Sequence, residues 1–85
     1  MPAVVGRAYE HTLVIHCGVR FTVFDGRDWV ADPPIDDGSG NPPPGWTGAG
    51  TMVLLRPDRA RFTSVDGDVA EFRPRAPGEP PFFCA

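Results

Sequence analysis

Eighty-five residues, 41% of them hydrophobic, with a net charge of −3, fit one small globular domain whose core is limited. A general phosphate-backbone binder needs excess cationic charge to displace counterions, so nucleic acid is not an expected partner. No run approaches the roughly 20 apolar residues of a spanning helix, so no membrane contact is expected either.

The start, Met1-Pro2-Ala3-Val4-Val5-Gly6-Arg7, lacks the basic and apolar regions of a signal peptide, which makes a cytoplasmic protein the expectation. Period-two patterning then predicts strands over 11–15, 19–23, 27–31, 51–56, 59–64 and 68–73, with no helix signalled. Eleven prolines and 10 glycines supply the turns between them. Register tests the turns, because a slip of one residue moves every side chain to the other face of the sheet. A three-residue loop at His16-Cys17-Gly18 pairs Leu13 with Phe21 and Ile15 with Val19. The same loop at Phe24-Asp25-Gly26 pairs Phe21 with Trp29 and Val19 with Ala31. At Val65-Asp66-Gly67, with Gly67 left-handed, it pairs Phe62 with Ala70, Ala60 with Phe72 and Arg61 with Glu71. Apolar then meets apolar and charge meets countercharge.

The predicted inward face holds Leu13, Ile15, Val19, Phe21, Val23, Trp29, Phe62, Ala70 and Phe72, with Val53 and Leu55 joining across a Pro57-Asp58 turn. The fold expected is all-β: one domain over residues 1–85, a small six-stranded antiparallel barrel or compact sandwich. Its core spans about 9–75, with a long Pro/Gly-rich loop over 32–50 and a Pro-rich tail over 76–85 tied down by Phe82-Phe83. Phe21-Thr22-Val23-Phe24-Asp25-Gly26 recurs as Phe62-Thr63-Ser64-Val65-Asp66-Gly67, which reflects either two similar meanders or hairpin chemistry alone.

The loop from Asp32 to Trp46 is too rich in Pro and Gly for helix or central strand, yet it carries three carboxylates and an aromatic anchor. Asn41-Pro42-Pro43-Pro44-Gly45-Trp46 holds extended polyproline geometry, delivering Trp46 at fixed reach. We expect Trp46 to cap an open end of the barrel and to be mostly buried, so that Trp46→Ala costs about 3–5 kcal/mol. The competing role is an anchor for a partner. Asp36, Asp37, Ser39 and Asn41 are then the exposed candidate contact surface. Asp36 to Asn41 has calcium-type oxygen donors but lacks the Glu and flanking helices of an EF-hand, so an Asx/Gly turn is expected and no cofactor.

His16 beside Cys17 suggests a thiolate, but with no oxyanion-hole loop and no third orienting residue no catalytic residue is assigned and no enzyme is expected. His11, His16, Cys17 and Cys84 are the available metal ligands, without a closely spaced Cys pair. Cys17 and Cys84 would bridge in an oxidising compartment and stay thiols in reducing cytosol. Arg59 falls opposite Arg73 with Arg56 and Arg75 nearby, and these guanidinium groups are expected to splay toward Asp58, Glu71 and solvent.

The order His16-Cys17-Gly18, Trp29, then Asp37-Gly38-Ser39-Gly40-Asn41-Pro42-Pro43-Pro44-Gly45-Trp46, then Gly50-Thr51-Met52 and Phe62, resembles small uncharacterised actinobacterial proteins and domains across residues 11–73. That resemblance implies no activity. The function expected is a non-enzymatic binding or interaction module that meets an unknown protein or small ligand through the loop and Trp46. The alternatives are a metal- or thiol-dependent site at His16, Cys17 and Cys84, or a structural accessory subunit.

Overall fold

The computed structural model describes residues 3–79. Phe82, Phe83 and Cys84, on which the tail and thiol expectations fall, lie outside the described residues. The described chain is all-β, as expected, with strands β1 (Ala8–Thr12), β2 (Val19–Phe24), β3 (Arg27–Ile35), β4 (Ala49–Arg56), β5 (Arg59–Ser64) and β6 (Val69–Pro74). They form one antiparallel sheet in the order β1-β4-β5-β6-β3-β2, curled into a half-barrel with β1 and β2 at its two edges. Its hollow is filled by Leu13, Val19, Phe24, Trp29, Ala31, Met52, Leu54, Ala60, Phe62, Ala70 and Phe72. The indole nitrogen of fully buried Trp29 donates to the Phe24 carbonyl at 3.0 Å, which meets the one polar demand of the largest core side chain.

The β5–β6 hairpin has the expected register: Ala60 faces Phe72, Arg61 faces Glu71 and Phe62 faces Ala70, with Gly67 left-handed at φ 91. The β2–β3 hairpin differs by one residue. Phe24 pairs with Arg27 and Phe21 with Val30, around a two-residue turn in which both Asp25 (φ 57) and Gly26 (φ 72) are left-handed. The slip turns Phe24 and Thr22 into the core and leaves Val23 exposed. A shift of the same size overturns the expected inward pair on β4. Arg56 faces Arg59 across Pro57-Asp58, and an irregularity between Leu54 and Arg56 sends Met52 and Leu54 inward while Leu55 is exposed.

The expected hairpin at His16-Cys17-Gly18 is replaced by a loop. Strand β1 ends at Thr12 and pairs with β4, not with β2, and Leu13 donates from its backbone nitrogen to the Gly48 carbonyl at 2.7 Å. Strand β3 runs three residues past the predicted start of the long loop, through Asp32, cis-Pro33 and Pro34 to Ile35. Its prolines lie beyond the β3–β6 ladder, which covers Trp29 to Ala31, and in the irregular stretch of its pairing with β2, so no ladder donor is lost.

The arginines behave as expected on the outer face. Arg56 meets Asp58 at 2.9 Å, and Arg59 meets both Glu71 and Asp32 at 2.9 Å. Arg61 adds a second bond to Glu71 at 2.8 Å, and its guanidinium together with that of Arg59 holds the Glu71 carboxyl below the usual range. Farther along, Arg73 meets Glu79 and Arg75 meets Asp28.

Candidate functional site

The loop between β3 and β4 is built on two close approaches that only glycine permits. At its start, a Cβ on Gly18 would sit 2.8 Å from the Asp36 Cβ and 2.9 Å from the Ile35 carbonyl oxygen, and Gly18 has φ +92. At its end, a Cβ on Gly48 would run into the Leu13 carbonyl oxygen. Both anchors join the loop to the segment between β1 and β2.

Asp36 is tied down rather than presented. Its Oδ2 accepts from Arg20 Nη2 at 2.6 Å, its Oδ1 accepts the Gly38 backbone nitrogen at 2.7 Å, and its side chain is 23% exposed. Arg20 Nε also donates to the Cys17 carbonyl at 3.1 Å, so one guanidinium links the two loops. The expectation of an exposed Asp36 is therefore corrected: the carboxylate is an anchor. No spacing rule signals its pairing with Arg20, because the partners come from different elements.

Asp37, Ser39 and Asn41 are exposed, as expected. Asp37 Oδ1 accepts the backbone nitrogens of Ser39 at 2.8 Å and Asn41 at 3.2 Å, and its Oδ2 accepts Asn41 Nδ2 at 3.3 Å. Those backbone bonds, Ser39 first, hold the Asp37 carboxyl below its ordinary value. The turn is a nested Asx arrangement carrying one fixed negative charge.

Trp46 is half-buried and packs against the core, Pro43 is buried, and the Trp46 backbone nitrogen donates to the Pro43 carbonyl at 3.3 Å. It caps with one side and keeps another accessible, where the expectation had it mostly buried. Pro44 and Gly45 beside it are exposed.

Of the candidate metal ligands, His11, His16 and Cys17 are described, and among the described residues no group of three His, Cys, Asp or Glu side chains could hold an ion. His11 points inward, with Nε2 2.7 Å from Thr22 Oγ1 and its ring edge-on to Phe24, and burial lowers its pKa from the ordinary 6.5. His16 is exposed. Cys17 is in a disulfide, which removes it as a thiolate nucleophile or ligand, and Cys84 lies outside the described residues.

One feature escaped sequence reading: an outer groove of about 220 Å³ lined by Thr12, Val14, Phe21, Thr22 and Val23. The only available signal was that β2 is apolar on alternate faces, which periodicity reads as a core strand. No family model matches the chain, and neither a curated protein nor a solved structure matches it.

Proposed function

We propose that the protein is a non-enzymatic binding module whose contact surface is the loop from Asp37 to Trp46, and that it meets a partner protein or a small ligand. The observation that carries this reading is the loop's internal bonding. Asp37 is held charged and exposed by Ser39 and Asn41, the Gly18 and Gly48 contacts fix both ends, and the outer side of Trp46 stands beside exposed Pro44. A surface already ordered by its own bonds loses little conformational entropy when it binds.

The disulfide at Cys17 fits an oxidising compartment rather than reducing cytosol, and the proposal concerns the protein there. The test is a two-dimensional NMR screen of peptides and small ligands against the full chain. Hits should map to Asp37, Ser39, Asn41, Pro44 and Trp46, and should weaken in Asp37→Asn and Trp46→Phe. Hits that map elsewhere and survive both changes would remove the loop as the contact surface.

A further inference from the structure

The half-barrel comes close to closing on itself, and it does so with side chains. Tyr9 of β1 packs on Phe24 of β2 with ring centroids 6.1 Å apart, and His11 of β1 bonds Thr22 of β2 at 2.7 Å. These contacts follow one antiparallel register, and continuing it puts Thr12 opposite Phe21 and Glu10 opposite Val23. Yet β1 pairs only with β4, and β2 only with β3, among the described residues. The backbone edge of β2 that faces β1 therefore lacks a strand partner there.

Edge strands are normally protected by proline, by outward charges or by a covering element. Strand β2, Val19-Arg20-Phe21-Thr22-Val23-Phe24, has no proline, and its only charged side chain, Arg20, is bonded to Asp36 and to the Cys17 carbonyl. Beside this edge lies the 220 Å³ groove, with Val14 74% and Val23 55% exposed on its walls. An open edge next to an apolar groove is the arrangement that strand addition uses: the main chain gives affinity and the groove selects alternate side chains. The charge of the occupant follows from Glu10, which is exposed, falls beside Val23 in the seam register and has no ion pair among the described residues.

We propose that the β1–β2 seam accepts an extended peptide from a partner protein, added antiparallel along β2, with apolar side chains in the Val14–Phe21–Val23 groove and a Lys or Arg at Glu10. The incoming backbone replaces the His11–Thr22 bridge as the closure of the sheet. This inference makes no use of the Asp37–Trp46 loop, so either reading can fail without the other.

The probe is the acetylated and amidated peptide Thr-Lys-Thr-Val-Thr-Val-Thr, whose Lys and two Val side chains share one face of a strand, titrated into the ¹⁵N-labelled full chain. The expected result is saturable shifts at Thr12, Val14, Phe21, Thr22 and Val23, together with a change in the His11 ring resonances. Glu10→Lys and Val23→Lys should each weaken binding by about tenfold or more while leaving the rest of the spectrum in place, since both side chains are exposed. The same peptide with Lys replaced by Glu, or with its central Val N-methylated, should bind correspondingly less. The proposal is overturned by the absence of saturable shifts at the seam, by equal binding of the Glu or N-methylated peptide, or by unchanged affinity in both variants. It is also overturned if light scattering shows the chain alone self-associating with concentration and Val23→Lys abolishing this, because a second copy would then own the seam.

Discussion

A single hydrogen bond between His11 and Thr22 joins strands that share no ladder, and it makes the seam sensitive to acid. Burial lowers the His11 pKa below its ordinary 6.5, so the unfolded chain binds the proton more readily than the folded one. The associated stability is fully present above pH 6.5 and is lost as the pH falls through the folded value. Urea midpoints should therefore fall on acidification from pH 6.5, and His11→Gln should flatten that decline between about pH 5 and 6.5, before carboxylates with lowered pKa values begin to protonate. An identical slope in wild type and variant would show that the imidazole is not the responsible group. A second hydroxyl has as large a local effect. Ser64 Oγ accepts the backbone nitrogens of Asp66 at 3.2 Å and Asp68 at 3.0 Å, and so holds the three-residue turn between β5 and β6. Ser64→Ala leaves two donors seeking a partner and should cost about 1–2 kcal/mol in chemical denaturation. No measurable loss would mean that Gly67 alone sets the turn.

Ser64 also explains, at the scale of the element, which hairpin was legible in the sequence. In the repeated segment Val23 stands where Ser64 stands, so the first Asp-Gly has no hydroxyl to gather a wider turn and closes on two residues instead. The strands themselves were readable because alternation marks a half-buried ribbon, and the β5–β6 register because opposite charges on Arg61 and Glu71 agreed with the apolar pairs. The irregularity near Leu55 and the β1–β4 pairing were not readable, because they depend on contacts between distant segments such as Leu13 with Gly48. Of the candidate site, the exposure of Asp37, Ser39 and Asn41 was readable from turn chemistry, while the anchoring of Asp36 by Arg20 was not. The same long-range placement sets the rank of the aromatics. Phe62 is fully buried between β4 and β6, so Phe62→Ala should cost about 3–5 kcal/mol. Trp46 is only half-buried, so Trp46→Ala should cost about 1–2 kcal/mol, less than a full cap would. Equal losses in the two variants would restore the complete cap.

For the whole molecule, the question is what sustains, on so small a core, a sheet whose two edge strands each pair on one side only among the described residues. A domain of this length buries a limited apolar area, and chains near this size are commonly reinforced by a covalent or metal staple. The outer-face ion pairs are a weak substitute. Arg56 and Asp58 are mostly solvent-exposed, and exposed pairs offset little of the entropy lost in ordering the chain. No group of His, Cys, Asp or Glu among the described residues could hold an ion, which leaves the disulfide at Cys17 as the reinforcement in view. It sits in the segment between β1 and β2, whose Leu13 and Gly18 also anchor the loop before β4, so the crosslink restrains the part of the molecule where backbone pairing is missing. Cys17→Ser should therefore lower the unfolding free energy by about 2–4 kcal/mol. Reductant should lower the wild-type midpoint by the same amount and leave the variant unmoved. A midpoint unaffected by both changes would show that packing in the half-barrel, led by Trp29, Phe62 and Phe72, is sufficient without a crosslink.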